Sequence, residues 1–140
     1  MSRRLPHFNR ESLERSLPEA GIQYIWMNQL GGRRKKILAE SPNLALRNDS
    51  FRNYADYMLT AEFKVAAAEL VAIAERAPTA YMCAERVYFQ CHRMLVSDYL
   101  VAHGHEVLHI DATGPVRRHN LMAEARIIDG ELVYRGDLLL

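Results

Sequence analysis

The sequence predicts the α/β class: a mainly parallel sheet flanked by helices, followed by a short C-terminal hairpin. Three observations carry this expectation. Segments rich in β-branched and aromatic residues, at 22–26, 79–83 and 106–110, alternate with helical patterns, and strands alternating with helices build parallel sheets covered by crossover helices. The stretch 61–76 puts Phe63, Ala66, Ala67, Leu70, Val71 and Ala74 on one helical face, the spacing of a helix packed on one side. In the tail, Asp129-Gly130 separates the apolar runs Ile127-Ile128 and Leu132-Val133-Tyr134, and Asp-Gly between such runs signals a hairpin.

Asn9 is placed to cap a helix that begins near Arg10, carries Leu13 and Leu17 on one face, bends or ends at Pro18 and stops at Gly21. Ile22 to Trp26, bounded by glycines, reads as the first strand. Between 27 and 48 the periodicity is lost, and Gly31, Gly32, the basic run Arg33-Arg34-Lys35-Lys36 and Pro42 describe a long excursion. Asp49 or Ser50 caps a helix over 51–58, and Thr60 caps the helix over 61–76. A strand over 79–83 follows, then a helix over 91–103 with Gly104 just past its end. A third strand covers 106–110.

With 140 residues, 49% hydrophobic and 25% charged, the chain fits one domain across residues 1–140 with one core. A formal charge of +1 commits the molecule to no strongly charged partner, so electrostatic arguments must be local. The N-terminus has no apolar leader and the chain no membrane-length apolar run, so no membrane is expected and a cytoplasmic location is the default. Two cysteines are too few for the disulfide framework of a small secreted protein.

Those two cysteines sit in the most chemically loaded segment, Cys83-Ala84-Glu85 to Cys91-His92-Arg93. Either cysteine alone reads as a small core residue. Together with Glu85, His92 and Arg93 they suggest a site, because amides at a helix start and a nearby guanidinium favour a thiolate or a bound anion. Metal ligation by Cys83, Glu85, Cys91 and His92 is the second option, although the spacing matches no known ligand pattern and the adjacent Cys91 and His92 would diverge on a helix; no metal ligand is assigned. A reversible Cys83–Cys91 disulfide is the third option, without a C-x-x-C motif to support it. Gly31-Gly32-Arg33-Arg34 could form an anion nest or a solvated turn. His103 and His105 are most simply solvent-exposed, and His109 reads as a core histidine unless strand ends gather into a site.

Six elements in order, Pro6-His7-Phe8-Asn9, Leu30-Gly31-Gly32, Phe51-Arg52-Asn53-Tyr54-Ala55-Asp56-Tyr57-Met58, Met82-Cys83-Ala84-Glu85, Cys91-His92-Arg93 and His109-Ile110, resemble the bacterial family called domain of unknown function 488. The resemblance runs from about residue 3 to the tail. It implies a Rossmann-like α/β fold and supplies no reaction. The family pattern falls on His7, Asn9, Gly31, Gly32, Arg52, Tyr54, Cys83, Glu85, Cys91, His92, Arg93 and His119. Relatives usually have a proline between the two cysteine elements, where this chain has Arg86-Val87-Tyr88-Phe89-Gln90. They also carry a strand, a helix and a second strand upstream of Pro6, so an N-terminally incomplete sheet is expected.

The leading expectation is an anion- or nucleotide-binding, thiol-dependent site at strand ends. Cys83, Glu85 and Cys91 are its candidate catalytic groups, and Gly31, Gly32, His92, Arg93, Arg52, His7, Asn9 and His109 its candidate ligand-binding groups. The partner expected first is a small anionic or nucleotide-like molecule. Nucleic acid is the alternative, through Arg3, Arg4, Arg33, Arg34, Lys35 and Lys36 with Tyr24 and Trp26, and a homo-oligomer stays open. No residue pattern names a cofactor.

Overall fold

The computed structural model describes residues 5–85 and 87–135. Arg3, Arg4 and Arg86, to which the sequence drew attention, lie outside the described residues.

Four α-helices carry the fold. α1, Arg10–Glu19, starts at the N-cap residue Asn9 after the 3-10 turn Pro6–Phe8, takes Pro18 into its last turn and gives way at Gly21, whose φ of 79° suits a residue without Cβ. α2 covers Asp49–Tyr57, and its cap is Asn48, one residue before the expected Asp49: the Asn48 side chain accepts from Phe51 N. α3 covers Ala61–Arg76, with the Thr60 side chain accepting from Phe63 N. α4 covers Arg93–Ala102 and is followed by Gly104 at φ 90°.

The core lies between the helices and the strand at the end of the tail, not between helices and a parallel sheet. Phe63 of α3 meets the edges of Tyr54 and Tyr57 from α2 and Tyr99 from α4, with ring centroids 6.1, 5.8 and 5.0 Å apart. Leu95, Val96 and Leu100 of α4 and Leu132 and Tyr134 of the tail complete it. Of the face read from the spacing, Phe63, Ala66, Ala67 and Leu70 are buried, whereas Ala74 is exposed.

The parallel sheet does not form, and the fold is not Rossmann-like. Among the described residues the strands make two antiparallel pairs: β1, Leu108–His109, with β2, Arg117–Arg118; and β3, Ala125–Ile128, with β4, Glu131–Tyr134. Segments 22–26 and 79–83 pair with nothing. Strand preference measures fit to a pleated, half-buried surface more than any intrinsic property of the backbone, so β-branched residues become a strand only where a neighbouring ladder receives their amides. Among the described residues no strand pairs with 22–26, and Ile22, Ile25 and Trp26 stay about half exposed. Arg10 of α1 lies over the Trp26 ring at 4.1 Å.

The tail does turn back at Asp129-Gly130, with φ of 52° and 79°. Both angles are positive, as a two-residue hairpin turn of the primed type requires. β4 is then tied to distant chain: Ala45 N donates to Tyr134 O, and Tyr134 N donates to Asn43 Oδ1, at 2.9 Å each. Asn43 Nδ2 and Ser41 Oγ in turn donate to the buried Asp56 Oδ1 of α2. The loop around Gly31 is held from below, where Tyr54 and Tyr57 hydroxyls donate to Leu30 O at 2.8 Å and Gln29 O at 2.6 Å. No helix is long and apolar enough to cross a membrane among the described residues.

Candidate functional site

The chain between the two cysteines reverses through the 3-10 turn Tyr88–Gln90, closed by Gln90 N donating to Val87 O and Cys91 N to Tyr88 O. The reversal needs no proline. It brings Cys83 Sγ to 3.3 Å from Cys91 Sγ, with both thiols free and half-buried. Cys83 lies in irregular chain rather than at a strand end, and its segment is anchored to α4 by the 2.6 Å contact between Tyr81 Oη and Ser97 Oγ. Cys91 lies just ahead of α4 instead of opening it, because His92 is the N-cap and Arg93 the first helical residue.

That offset is what lets the helix start serve the sulfur. Arg93 N donates to Cys91 Sγ at 3.4 Å, and Arg93 Nε donates to the same sulfur at 3.2 Å. A helix-start amide and a guanidinium both favour negative charge. The Cys91 thiol is accordingly pushed down to about 3, first by the hydrogen bond from Cys83 and then by the His92 and Arg93 side chains, with burial opposing. Cys83 moves the other way: donating to Cys91 and being half-buried both make its proton harder to lose. The two shifts run in opposite directions.

Glu85 meets the cluster through its backbone. Its amide donates to Cys83 Sγ at 3.3 Å and its carbonyl accepts from Arg93 Nη2, while its carboxylate reaches Val87 N at 3.5 Å. His92 forms the inner wall. Its ring lies 5.2 Å from that of Tyr54, and a Cβ on Gly32 would overlap it, so Gly32 is the residue that lets the 28–32 loop close on α4. Gly31 meets Arg34, whose guanidinium donates to Gly31 O and Asn28 O and covers the Tyr57 ring at 3.9 Å. Arg34 is therefore turned onto its own loop, while Arg33, Lys35 and Lys36 are exposed.

Three expected site residues lie in other elements. Arg52 donates twice to Leu46 O, at 2.9 and 2.7 Å, and pairs with Asp49. His7 is tilted against Phe8 in the first turn, with ring centroids 4.5 Å apart, and Asn9 precedes α1. Two shallow hollows run along α3, and neither is lined by a cysteine. Among the described residues no three His, Cys, Asp or Glu side chains gather as a metal ion would require.

A second polar assembly adjoins the cysteines. Asp98 of α4, fully buried, accepts from His119 Nε2 at 2.6 Å and Met122 N at 3.3 Å through Oδ1, and from Tyr134 Oη at 2.9 Å through Oδ2. The other nitrogen of His119, Nδ1, meets His109 Nε2 at 2.7 Å. His109 stacks on Tyr88 with centroids 3.6 Å apart and planes 10° apart, and Tyr88 is the residue whose carbonyl holds Cys91 N. The sequence reading passed over Asp98 and Tyr134. A signal for Asp98 was present: an aspartate inside the apolar run Met94-Leu95-Val96-Ser97-Asp98-Tyr99-Leu100 is buried only where donors satisfy it. Nothing local marks Tyr134 as its partner.

Fold and site together define a mainly helical protein with two small antiparallel sheets and a paired-cysteine centre at the start of α4. The chain belongs to the family described as Domain of unknown function DUF488, whose model matches residues 1–100. Cys83, Cys91, Arg93 and Asp98 fall within the match, and His109, His119 and Tyr134 beyond it. Comparison with curated proteins and with solved structures gave no match.

Proposed function

We propose that the protein works through Cys91 as a thiolate nucleophile, with Cys83 as its hydrogen-bond donor and Arg93 as its counter-ion. One observation supports this above the rest: Arg93 Nε and Arg93 N both donate to Cys91 Sγ within 3.4 Å, and Cys83 Sγ lies 3.3 Å from the same sulfur. A sulfur so surrounded is a nucleophile at neutral pH without a separate base. A small electrophile bearing an anionic or nucleotide-like group fits this site, because the guanidinium that holds the thiolate also attracts negative charge.

Alkylation with iodoacetamide from pH 3 to 9, with each cysteine mapped by mass, tests the reading. Cys91 should alkylate at a nearly constant rate down to about pH 4, and Cys83 should react only well above the ordinary thiol range. Arg93→Leu should raise the Cys91 midpoint. A Cys91 midpoint near the ordinary value of about 8.5 overturns the proposal.

The 3.3 Å contact between the sulfurs favours a second reading, a dithiol that closes to a disulfide. Oxidation by diamide would remove two electrons and two protons from the pair. A loss of two hydrogens in mass, reversed by dithiothreitol and absent in Cys83→Ser, supports it. An unchanged monomer mass, or a disulfide formed only between two molecules, counts against it.

A further inference from the structure

We infer that Asp98, His119 and His109 form a proton relay whose outer end, His109 Nδ1, is the base of the Cys91 site; this rests on the reading of Cys91 as the thiolate. The bonding order fixes the direction. Both oxygens of Asp98 already accept, so His119 in its neutral form carries its proton on Nε2, toward Asp98, and presents a lone pair at Nδ1. His109 must then donate from Nε2, which leaves its own lone pair on Nδ1. An imidazole held in one tautomer by a second group oriented by a buried carboxylate is the arrangement a general base requires.

His109 also has the right neighbours. It is half-buried, stacked on Tyr88 from the 3-10 turn, and it faces His119 after β2, Arg93 at the start of α4 and Asp111 beyond β1. Burial first, then His119 and Arg93, lower its affinity for a proton against the smaller pull of Asp111, so at neutral pH it is free to accept one. Tyr88 touches both centres, its ring on His109 and its carbonyl on Cys91 N. Asp98 and His119 are positioning residues. Glu85, whose backbone holds the sulfurs, leaves the acid–base step to His109.

The step for which such a base is needed is release of a group from Cys91. With p-nitrophenyl acetate as the probe, Cys91 sulfur attacks the acyl carbon, the ester C–O bond breaks and p-nitrophenolate leaves with the electron pair. Water then adds to the thioester carbon as His109 Nδ1 takes its proton. The C–S bond breaks, Cys91 returns as thiolate, acetic acid leaves and ionises to acetate and a proton, and His109 gives its own proton to solvent, which restores the base.

Stopped-flow absorbance separates the two steps. The full chain should give a burst of one p-nitrophenolate per molecule, followed by slow turnover that rises with pH through the titration of His109. His109→Gln should keep the burst and lose about 100-fold in turnover. Asp98→Asn should lose a comparable factor, and ¹⁵N NMR should find the ring proton of wild-type His109 on Nε2, a tautomer that a merely structural role would not require. Circular dichroism melting confirms that each variant is folded, and the wild-type NMR tautomer reads the relay even if Asp98→Asn does not fold. A burst with turnover unchanged within twofold in His109→Gln, or a wild-type His109 protonated at Nδ1, overturns the relay. Absence of a burst in the wild type, or its survival in Cys91→Ser, overturns the Cys91 reading and with it the role given to His109.

Discussion

The cysteine cluster and the Asp98 assembly sit side by side, yet they are built in opposite ways. The cluster is made by nearby chain: Cys83, the backbone of Glu85, Cys91 and Arg93 meet through one tight reversal, and both sulfurs remain half-exposed. The Asp98 assembly is made by distant chain, joining α4 to His119, Met122 and Tyr134 in the core, with every carboxylate oxygen bonded. A buried carboxylate deprived of partners is costly, whereas a half-exposed thiolate can be solvated. The difference teaches that the long-range assembly is the one that desolvation makes dependent on its partners, while the local one leaves its sulfurs within reach of solvent.

Breaking the long-range assembly should produce the largest effect. Asp98→Ala leaves His119 and Tyr134 without their acceptor and should lower unfolding free energy by about 3–5 kcal/mol, read from urea titration. A loss below about 1 kcal/mol would show that the core does not depend on this carboxylate. Gly32→Ala tests the seam between loop and α4: the added methyl meets the His92 ring, and overpacking of this kind should cost about 1–3 kcal/mol. It should also displace His92 and slow Cys91 alkylation. Tyr54→Phe removes the hydroxyl that holds Leu30 O and should cost about 1 kcal/mol in the same titration.

Two smaller effects sharpen the contrast. His109 binds a proton less readily when folded, from an ordinary value of 6.5, so its contribution to stability is present above that value and is lost as pH falls. Between about pH 7 and 5 the urea midpoint should drop more in wild type than in His109→Gln. Smallest of all, Cys83→Ser and Cys91→Ser should each change stability by about 0.5 kcal/mol or less, while Cys91→Ser abolishes the fast alkylation. A large destabilisation from either serine would mean that the cluster is a structural clasp.

How far the sequence could be read depended on the range of the interaction. Thr60 and the spacing of Phe63, Ala66, Ala67 and Leu70 identify α3 because a cap and one buried stripe are local properties. Asp129-Gly130 identifies the hairpin turn for the same reason. The segments at 22–26 and 79–83 misled because a strand is decided by its neighbour, and the composition of Ile22-Gln23-Tyr24-Ile25-Trp26 says nothing about whether a neighbour is there. In the site, the Cys-Ala-Glu and Cys-His-Arg elements were visible as residue types. That Arg93 N and Arg93 Nε would both donate to Cys91 Sγ was not, since it depends on Cys91 lying just ahead of the first turn of α4. Asp98, His119 and Tyr134 were harder still, being partners that only the closing of β4 onto α4 brings together.

By itself, then, the sequence determined where the four helices lie to within a residue or two, the Thr60 cap, the tail hairpin and the candidate chemistry of residues 83–93, all of which follow from rotamers, backbone propensities and amide satisfaction over a few residues. The tertiary structure alone decided that the core packs helices against the tail hairpin, that Arg93 donates to Cys91 Sγ, and that Asp98, His119 and His109 form one hydrogen-bonded chain. These are outcomes of distance and desolvation between residues far apart in the chain, where burial strengthens a satisfied polar contact and penalises an unsatisfied one.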